Sequence, residues 1–445
     1  MTAETAATSA HLARAVIDYA GQKAVFTKEA IYNDAGIKIL DKGAAIHDGL
    51  YDRLMAHKLT RPLEESLAVE GMVDGASIRQ SIETLLAFEP FYARLVPNPQ
   101  QTERLLKAIA GIPLPESVAL QLSILRDVRP SLYDLALRSA WVMAWLADEP
   151  LKPLFDTSMA AAAGLLHDLG MLHLNPVLMN NKIELTREQR RELYSHPIIS
   201  TVLIERQHVY TKEVVRGVME HHEFLNGSGY PRGLQAHQIS LMGQQLAMTD
   251  LVVAMMSGAH EGGELRLGVL LRMNVHRYAK LLINRALDVL DPRQDPRSDT
   301  ITPLEDPIEV LETVYDTLQR WPRNVDGFVL ITPERKENMA QVTRQVDQMI
   351  RNLAEAGLTP AQLDQLGDST SDTLLSRELS LLAREAVWQL RALARQARRR
   401  WGAGNLENYP IELDTWINKT KALSLRVNGR TPESDSETGF VNSLH

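Results

Sequence analysis

The sequence predicts a mainly α-helical protein, and three observations point there. Apolar residues recur at helical spacing from about residue 76 onward, clearest in Leu135, Ala136, Ser139, Val142, Met143 and Leu146, with no strand signal between them. Short β-leaning runs gather near the start of the chain, where Asp34-Ala35-Gly36 separates Ile31-Tyr32 from Ile37-Lys38-Ile39-Leu40 in the manner of a hairpin. Beyond the repeated Asp-Pro pairs of 291–299, helical spacing resumes over about 307–320, 336–357 and 373–401, with one short strand expected at 327–332.

These elements divide the chain in order. Residues 1–75 read as a small α/β module bearing a β-hairpin, 76–290 as a helical domain, and 307–425 as a helical C-terminal extension. Residues 426–445 read as a polar, disordered tail. The stretch from 291 to 306 reads as a linker, because each X-Pro step denies its first residue the helical region. At 445 residues the chain is long enough for two or three domains with cores of their own. It contains no cysteine, which excludes a disulfide framework, a thiolate zinc site and a cysteine nucleophile. Any metal must therefore be held by His, Asp or Glu. A net charge of -8 argues against general nucleic-acid binding, while leaving room for a local basic patch that meets a phosphorylated ligand. Residues 1–20 lack an apolar signal core, and Asp250 breaks the apolar run Leu246–Met256, so no membrane span and a cytoplasmic location are expected. Nothing in the pattern speaks to oligomeric state.

The chemistry is concentrated between 160 and 256. His167-Asp168 closes the apolar helix Ala160–Leu166, followed by Gly170, which suits a left-handed exit from that helix. An imidazole beside a carboxylate suits a divalent cation, since one Asp can bridge two ions. Thr186-Arg187-Glu188-Gln189 has capping-box spacing and starts a helix ending near Tyr194. Ser195-His196-Pro197 then starts the next, holding His196 at a fixed corner. A helix over Glu213–Glu223 carries His221-His222 into the glycine-rich stretch Asn226-Gly227-Ser228-Gly229-Tyr230-Pro231-Arg232-Gly233. Asp250 lies within an apolar helix, where a carboxylate needs a cation or a strong hydrogen-bond donor. Each of these residues alone has a bland reading as a cap, a surface group or a salt bridge. His173, past the glycine, reads as a surface histidine, and His208, His237 and His260 have no partners at ligand spacing. The basic run Arg395–Trp401 reads as a solvated helix C-terminus whose cations complement the macrodipole.

Taken in order, His-Asp, His-Pro, His-His-Glu with its Gly-Tyr-Pro loop, and Thr-Asp in an apolar helix resemble the HD-GYP family across about 100 residues. The resemblance implies a helical HD-superfamily domain acting as a metal-dependent phosphodiesterase on cyclic di-GMP in bacterial signalling. It places His167, Asp168, His196, His221, His222 and Asp250 on metal-ligand positions, with Asp168 bridging and therefore catalytic. It assigns substrate contact to Gly229, Tyr230, Pro231 and Arg232, whose glycine permits close approach and whose guanidinium suits a phosphate. It implies one or two divalent ions per chain, Fe or Mn by donor type, that activate water for attack on phosphorus. Diguanylate cyclase domains are the protein partners it suggests.

Three departures from the family bear on activity. Leu135 stands where a further metal-binding histidine is expected, with Asp134 beside it as a conceivable substitute. Met171 replaces a phosphate-engaging lysine, and Asn226 replaces Asp while keeping a turn-forming acceptor. The alternative reading is a catalytically impaired module that binds nucleotide or docks onto a protein.

Overall fold

The computed structural model describes residues 3–149, 151–179, 185–257, 261–323, 332–366, 373–401 and 410–428. The strand expected over 327–332, His260, and all but the first three residues of the expected tail lie outside them or at their edge. The chain divides into two compact units, one of residues 1–257 with 277–282, the other of 258–276 with 283–445. Among the described residues no helix is long and apolar enough to cross a membrane.

The first unit opens with the helix Ala3–Ala20, followed by two small antiparallel pairings. Val25–Thr27 pairs with Leu67–Val69, and Ile31–Tyr32 pairs with Lys38–Leu40. The hairpin turn is where the Asp-Ala-Gly triplet sits. Gly36 takes the left-handed conformation that a tight reversal demands, and Asn33 accepts from the Ile37 amide at 2.8 Å. Helices follow from Gly75 onward, several opened by side-chain caps such as Asp74, Asn98, Thr186 and Ser240.

The helix Leu154–Leu166 is buried along nearly its whole length from Thr157, as a helix apolar on all sides must be. It packs against Pro130–Ala147, joined to it by a short connection that makes the pair antiparallel. Gly164 allows the close approach, since a Cβ there would lie 2.4 Å from the Ser139 carbonyl oxygen. Gly170 corrects the sequence reading. It does not adopt the left-handed conformation; its missing side chain makes room for the His196 carbonyl, which a Cβ would meet at 2.5 Å. The short 3-10 turn Leu169–His173 is thereby seated on the helix His196–Glu205.

His173 is not a surface group. It is 6% exposed, with Nε2 at 2.9 Å from the Gln121 Oε1 acceptor, and burial pushes its pKa down to about 4. A depressed histidine pKa means the fold holds the neutral form, so its contribution is complete above the unfolded value of 6.5 and lost as pH falls toward 4. That difference of about 2.5 units corresponds to about 3 kcal/mol. Urea unfolding at pH 7 and pH 4.5 should show a smaller acid loss in His173→Gln than in the wild type, by about 2–3 kcal/mol. Equal losses in the two proteins would show that His173 does not contribute to the acid limb.

The second unit has its own core, built around the long helix Thr373–Trp401. Gly263–Met273, Pro307–Gln319, Pro333–Glu355 and Ile411–Asn428 pack against it or against one another. Trp321 and Trp416 meet edge to face at 4.8 Å, and the Trp416 indole donates to the Thr317 carbonyl. The Asp-Pro stretch is more structured than a linker. Asp295 is buried, accepts from the Glu264 amide at 2.9 Å and pairs with Arg297, pinning a 3-10 turn over Pro296–Thr300. In the basic run, Arg398 and Arg399 are exposed while Trp401 is buried beneath Arg335.

Candidate metal centre

Four segments of the first unit bring six side chains together. His167 caps the end of Leu154–Leu166, with Asp168 next to it. His196 begins the helix His196–Glu205, with Pro197 in the first turn. His221 caps Lys212–Glu220, which ends three residues earlier than the sequence spacing suggests, and His222 follows. Asp250 comes from the middle of Leu241–Met256.

Three of the rings are aimed by the same device. The Nδ1 atoms of His167, His196 and His221 lie 2.8, 2.7 and 2.6 Å from the carbonyl oxygens of Gly164, Leu193 and Val218, each three residues back. A carbonyl only accepts, so each Nδ1 carries a proton and donates it, which leaves Nε2 as the atom each ring can offer to a cation. Those Nε2 atoms converge. His196 Nε2 stands 3.1 Å from His221 Nε2 and 2.9 Å from His222 Nε2. Asp168 Oδ1 lies 3.2 Å from His196 Nε2 and 3.6 Å from His221 Nε2, while Asp250 Oδ1 lies 3.0 Å from His167 Nε2.

This donor set fits a cation. Asp168 Oδ1 and Asp250 Oδ2 are buried without a hydrogen-bond partner, a costly state that positive charge relieves. Although burial opposes ionisation of Asp168, its histidine neighbours outweigh it and hold the carboxyl well below the usual carboxylate range. Burial lowers the His221 pKa, whereas at His167 the carboxylates of Asp168 and Asp250 outweigh burial and raise the pKa well above the usual imidazole range, so a cation bound there takes the place of a proton. The donors form two overlapping groups, Asp168 with His196, His221 and His222, and His167 with His221 and Asp250. Nitrogen and carboxylate donors together suit Fe, Mn or Zn.

The glycine-rich loop folds over this centre. Tyr230 stacks on His222 at 4.7 Å and on Tyr194 at 4.1 Å, and burial holds its phenol well above the usual range, so it stays protonated. Gly229 is needed for the packing, since a Cβ would lie 2.3 Å from the His222 carbonyl. Asn226 performs its turn role by accepting from the amide and hydroxyl of Ser228. Pro231 lines a cleft beside Tyr230. The Arg232 guanidinium donates to Glu220 at 2.9 Å, so in this state it ties the loop to a helix end.

Glu220, Glu223 and Tyr194 have roles that the sequence reading did not assign. Glu223 is 1% exposed and accepts from the amides of Arg232 and Leu234 at 2.7 and 2.8 Å. A buried acid just before a glycine-rich loop, whose amides have few partners of their own, was the available signal. Glu220 accepts from Arg216, Arg232 and the Ser240 amide.

The departures also have structural consequences. Leu135 is half-buried on Pro130–Ala147, and no side chain of that helix joins either donor group among the described residues. Asp134 does not substitute for the missing histidine: its side chain is 60% exposed and pairs with Arg138 at 3.8 Å. Met171 packs in an apolar cluster with Leu174, Leu178 and Leu193, which offers no place for a charge.

The HD domain family matches residues 119–269. The chain is 33% identical over 98 residues to a cyclic di-GMP phosphodiesterase of Pseudomonas aeruginosa, a match covering 22% of this chain and 24% of that one. It is 32% identical over 116 residues to 3′3′-cGAMP-specific phosphodiesterase 1 of Vibrio cholerae, covering 26% of each. A cyclic di-GMP phosphodiesterase of Thermotoga maritima is 30% identical over 122 residues, covering 27% of this chain and 33% of that one. The chain thus spans about a quarter to a third of the length of these curated relatives. No solved structure matches significantly. The protein carries an HD-superfamily domain.

Proposed function

We propose that the chain is an HD-GYP-type phosphodiesterase that hydrolyses cyclic di-GMP with one or two divalent ions, Fe or Mn, held by His167, Asp168, His196, His221, His222 and Asp250. The observation that carries this reading is the convergence of imidazole Nε2 atoms and unpartnered carboxylate oxygens in one buried cluster. Divalent cations bound there supply Lewis acidity toward a phosphodiester and make water a nucleophile near neutral pH. The chain's own contribution is positional. Asp168 stands between the two donor groups, within 3.4 Å of His167 Nε2 and 3.2 Å of His196 Nε2. The Nδ1 anchors keep the rings from rotating away, and the stacked Tyr194 and Tyr230 shelter His222 from solvent. Glu223 holds the loop that brings Gly229, Tyr230 and Pro231 to the substrate side.

A second reading, a regulator that binds nucleotide or docks onto diguanylate cyclase domains without turnover, is favoured by Leu135 alone, which leaves the His167 donor group short of a ligand. Elemental analysis of the purified chain, with assays of cyclic di-GMP and 3′3′-cGAMP hydrolysis in Mn(II) or Fe(II), separates the two. Two ions per chain with turnover of cyclic di-GMP supports the enzyme. One ion or none, with no hydrolysis of either compound, favours the regulator.

A further inference from the structure

A cleft of about 1520 Å³ in the first unit continues outward from Tyr230 and Pro231. It exceeds the roughly 300–1,000 Å³ usual for small-molecule sites, so it has room for a ligand larger than one nucleotide. One wall belongs to residues 54–65 and the other to the helices Arg187–Leu193 and His196–Glu205. On the first of these helices Arg187, Arg190 and Arg191 share a face by their three- and four-residue spacing. On the second and at its C-cap, Ile198, Val202 and Arg206 recur every four residues. Ile198 and Val202 are 43% and 39% exposed, an unusual position for two β-branched apolar side chains one turn apart.

The charge in the cleft runs against that of the chain, which is net -8. Among the described residues Arg187, Arg191 and Arg206 are exposed and make no ion pair, whereas Lys58 and Arg61 at the opposite wall are engaged by Asp34 and Glu29. Two carboxylates, Glu64 and Glu65, also line the cleft, against five arginines and one lysine; burial raises the Glu64 pKa while Arg206 lowers it. Unpaired guanidiniums beside exposed aliphatic and stacked aromatic surface fit a ligand with both phosphate and flat apolar faces.

We propose that this cleft is the subsite for the second nucleotide of a cyclic dinucleotide, with Arg187, Arg191 and Arg206 meeting its far phosphate and Ile198 and Val202 its base. The proposal rests on the phosphodiesterase reading above. It supplies, from a different wall, the phosphate-binding charge that Met171 leaves out.

The test uses the full metal-loaded chain and measures its dissociation constant for cyclic di-GMP, with the hydrolysis-resistant phosphorothioate analogue where turnover consumes the ligand. In the triple variant Arg187→Ala, Arg191→Ala, Arg206→Ala, affinity should fall at least ten-fold and lose much of its dependence on NaCl, with bound metal unchanged. Arg191→Glu, a single exposed change, should weaken binding in the same direction. Inorganic phosphate at millimolar concentration should compete with cyclic di-GMP in the wild type and not in the triple variant. Wild-type affinity retained in both variants overturns the subsite and leaves the phosphodiesterase reading standing. A metal-loaded wild type that binds neither cyclic di-GMP nor 3′3′-cGAMP overturns both.

Discussion

Asp168→Ala should reduce bound metal to below a tenth of the wild-type content and cut phosphodiester hydrolysis by on the order of 10³-fold or more. The carboxylate reaches histidines of both donor sets, within 3.2–3.6 Å of the Nε2 atoms of His167, His196 and His221, the last of which belongs to both. Its removal leaves the Nε2 atoms facing one another with less negative charge to hold a cation among them. Stability should respond in a sense that depends on metal. With metal present the wild type gains binding free energy that the variant cannot, so its melting temperature should be the higher. With chelator present the order should close or invert, because alanine removes a buried oxygen that has no hydrogen-bond partner. Thermal melts of both proteins, with Mn(II) and with EDTA, check this. A variant that keeps its metal would show that the His-Asp pair is structural only.

Much of this side-chain cluster was legible because most of its candidate donors sit at helix ends, where sequence signals are strongest. The Thr186 capping box and Pro197 mark the corner that carries His196, and both behave as written. Asp250 was readable as a charge inside an apolar helix. Features set by contacts between distant segments were not readable. Gly170 looked like a left-handed helix exit, but its role is to admit the carbonyl of His196, a contact across 26 positions of sequence. His173 looked exposed because its partner Gln121 lies 52 residues away. Arg232 looked free for a phosphate, yet Glu220 engages it. The cleft is the clearest case. Its arginines come from two helices and a third segment more than 120 positions earlier, so no local pattern announces them.

Leu135→His should raise metal content toward two ions per chain and increase turnover of cyclic di-GMP by about ten-fold or more. The position follows from the helix pair that holds the centre. Ser139 lies against Gly164, its carbonyl occupying the space a Cβ would need. Because Pro130–Ala147 and Leu154–Leu166 run antiparallel, one turn back from Ser139 meets one turn on from Gly164. By this register, position 135 falls on the turn facing the end of Leu154–Leu166, where His167 belongs to the three-member donor group of His167, His221 and Asp250. The new imidazole replaces a half-buried leucine, so the cost in packing is modest, and a neutral ring adds no buried charge. The same logic does not extend to Met171→Lys, which would place an ammonium among Leu174, Leu178 and Leu193 and destabilise the fold. Metal analysis and steady-state rates on the purified variant decide the matter. A variant that takes up a second ion yet hydrolyses neither cyclic di-GMP nor 3′3′-cGAMP would show that the missing histidine is not what limits the site, and would favour the regulator over the enzyme.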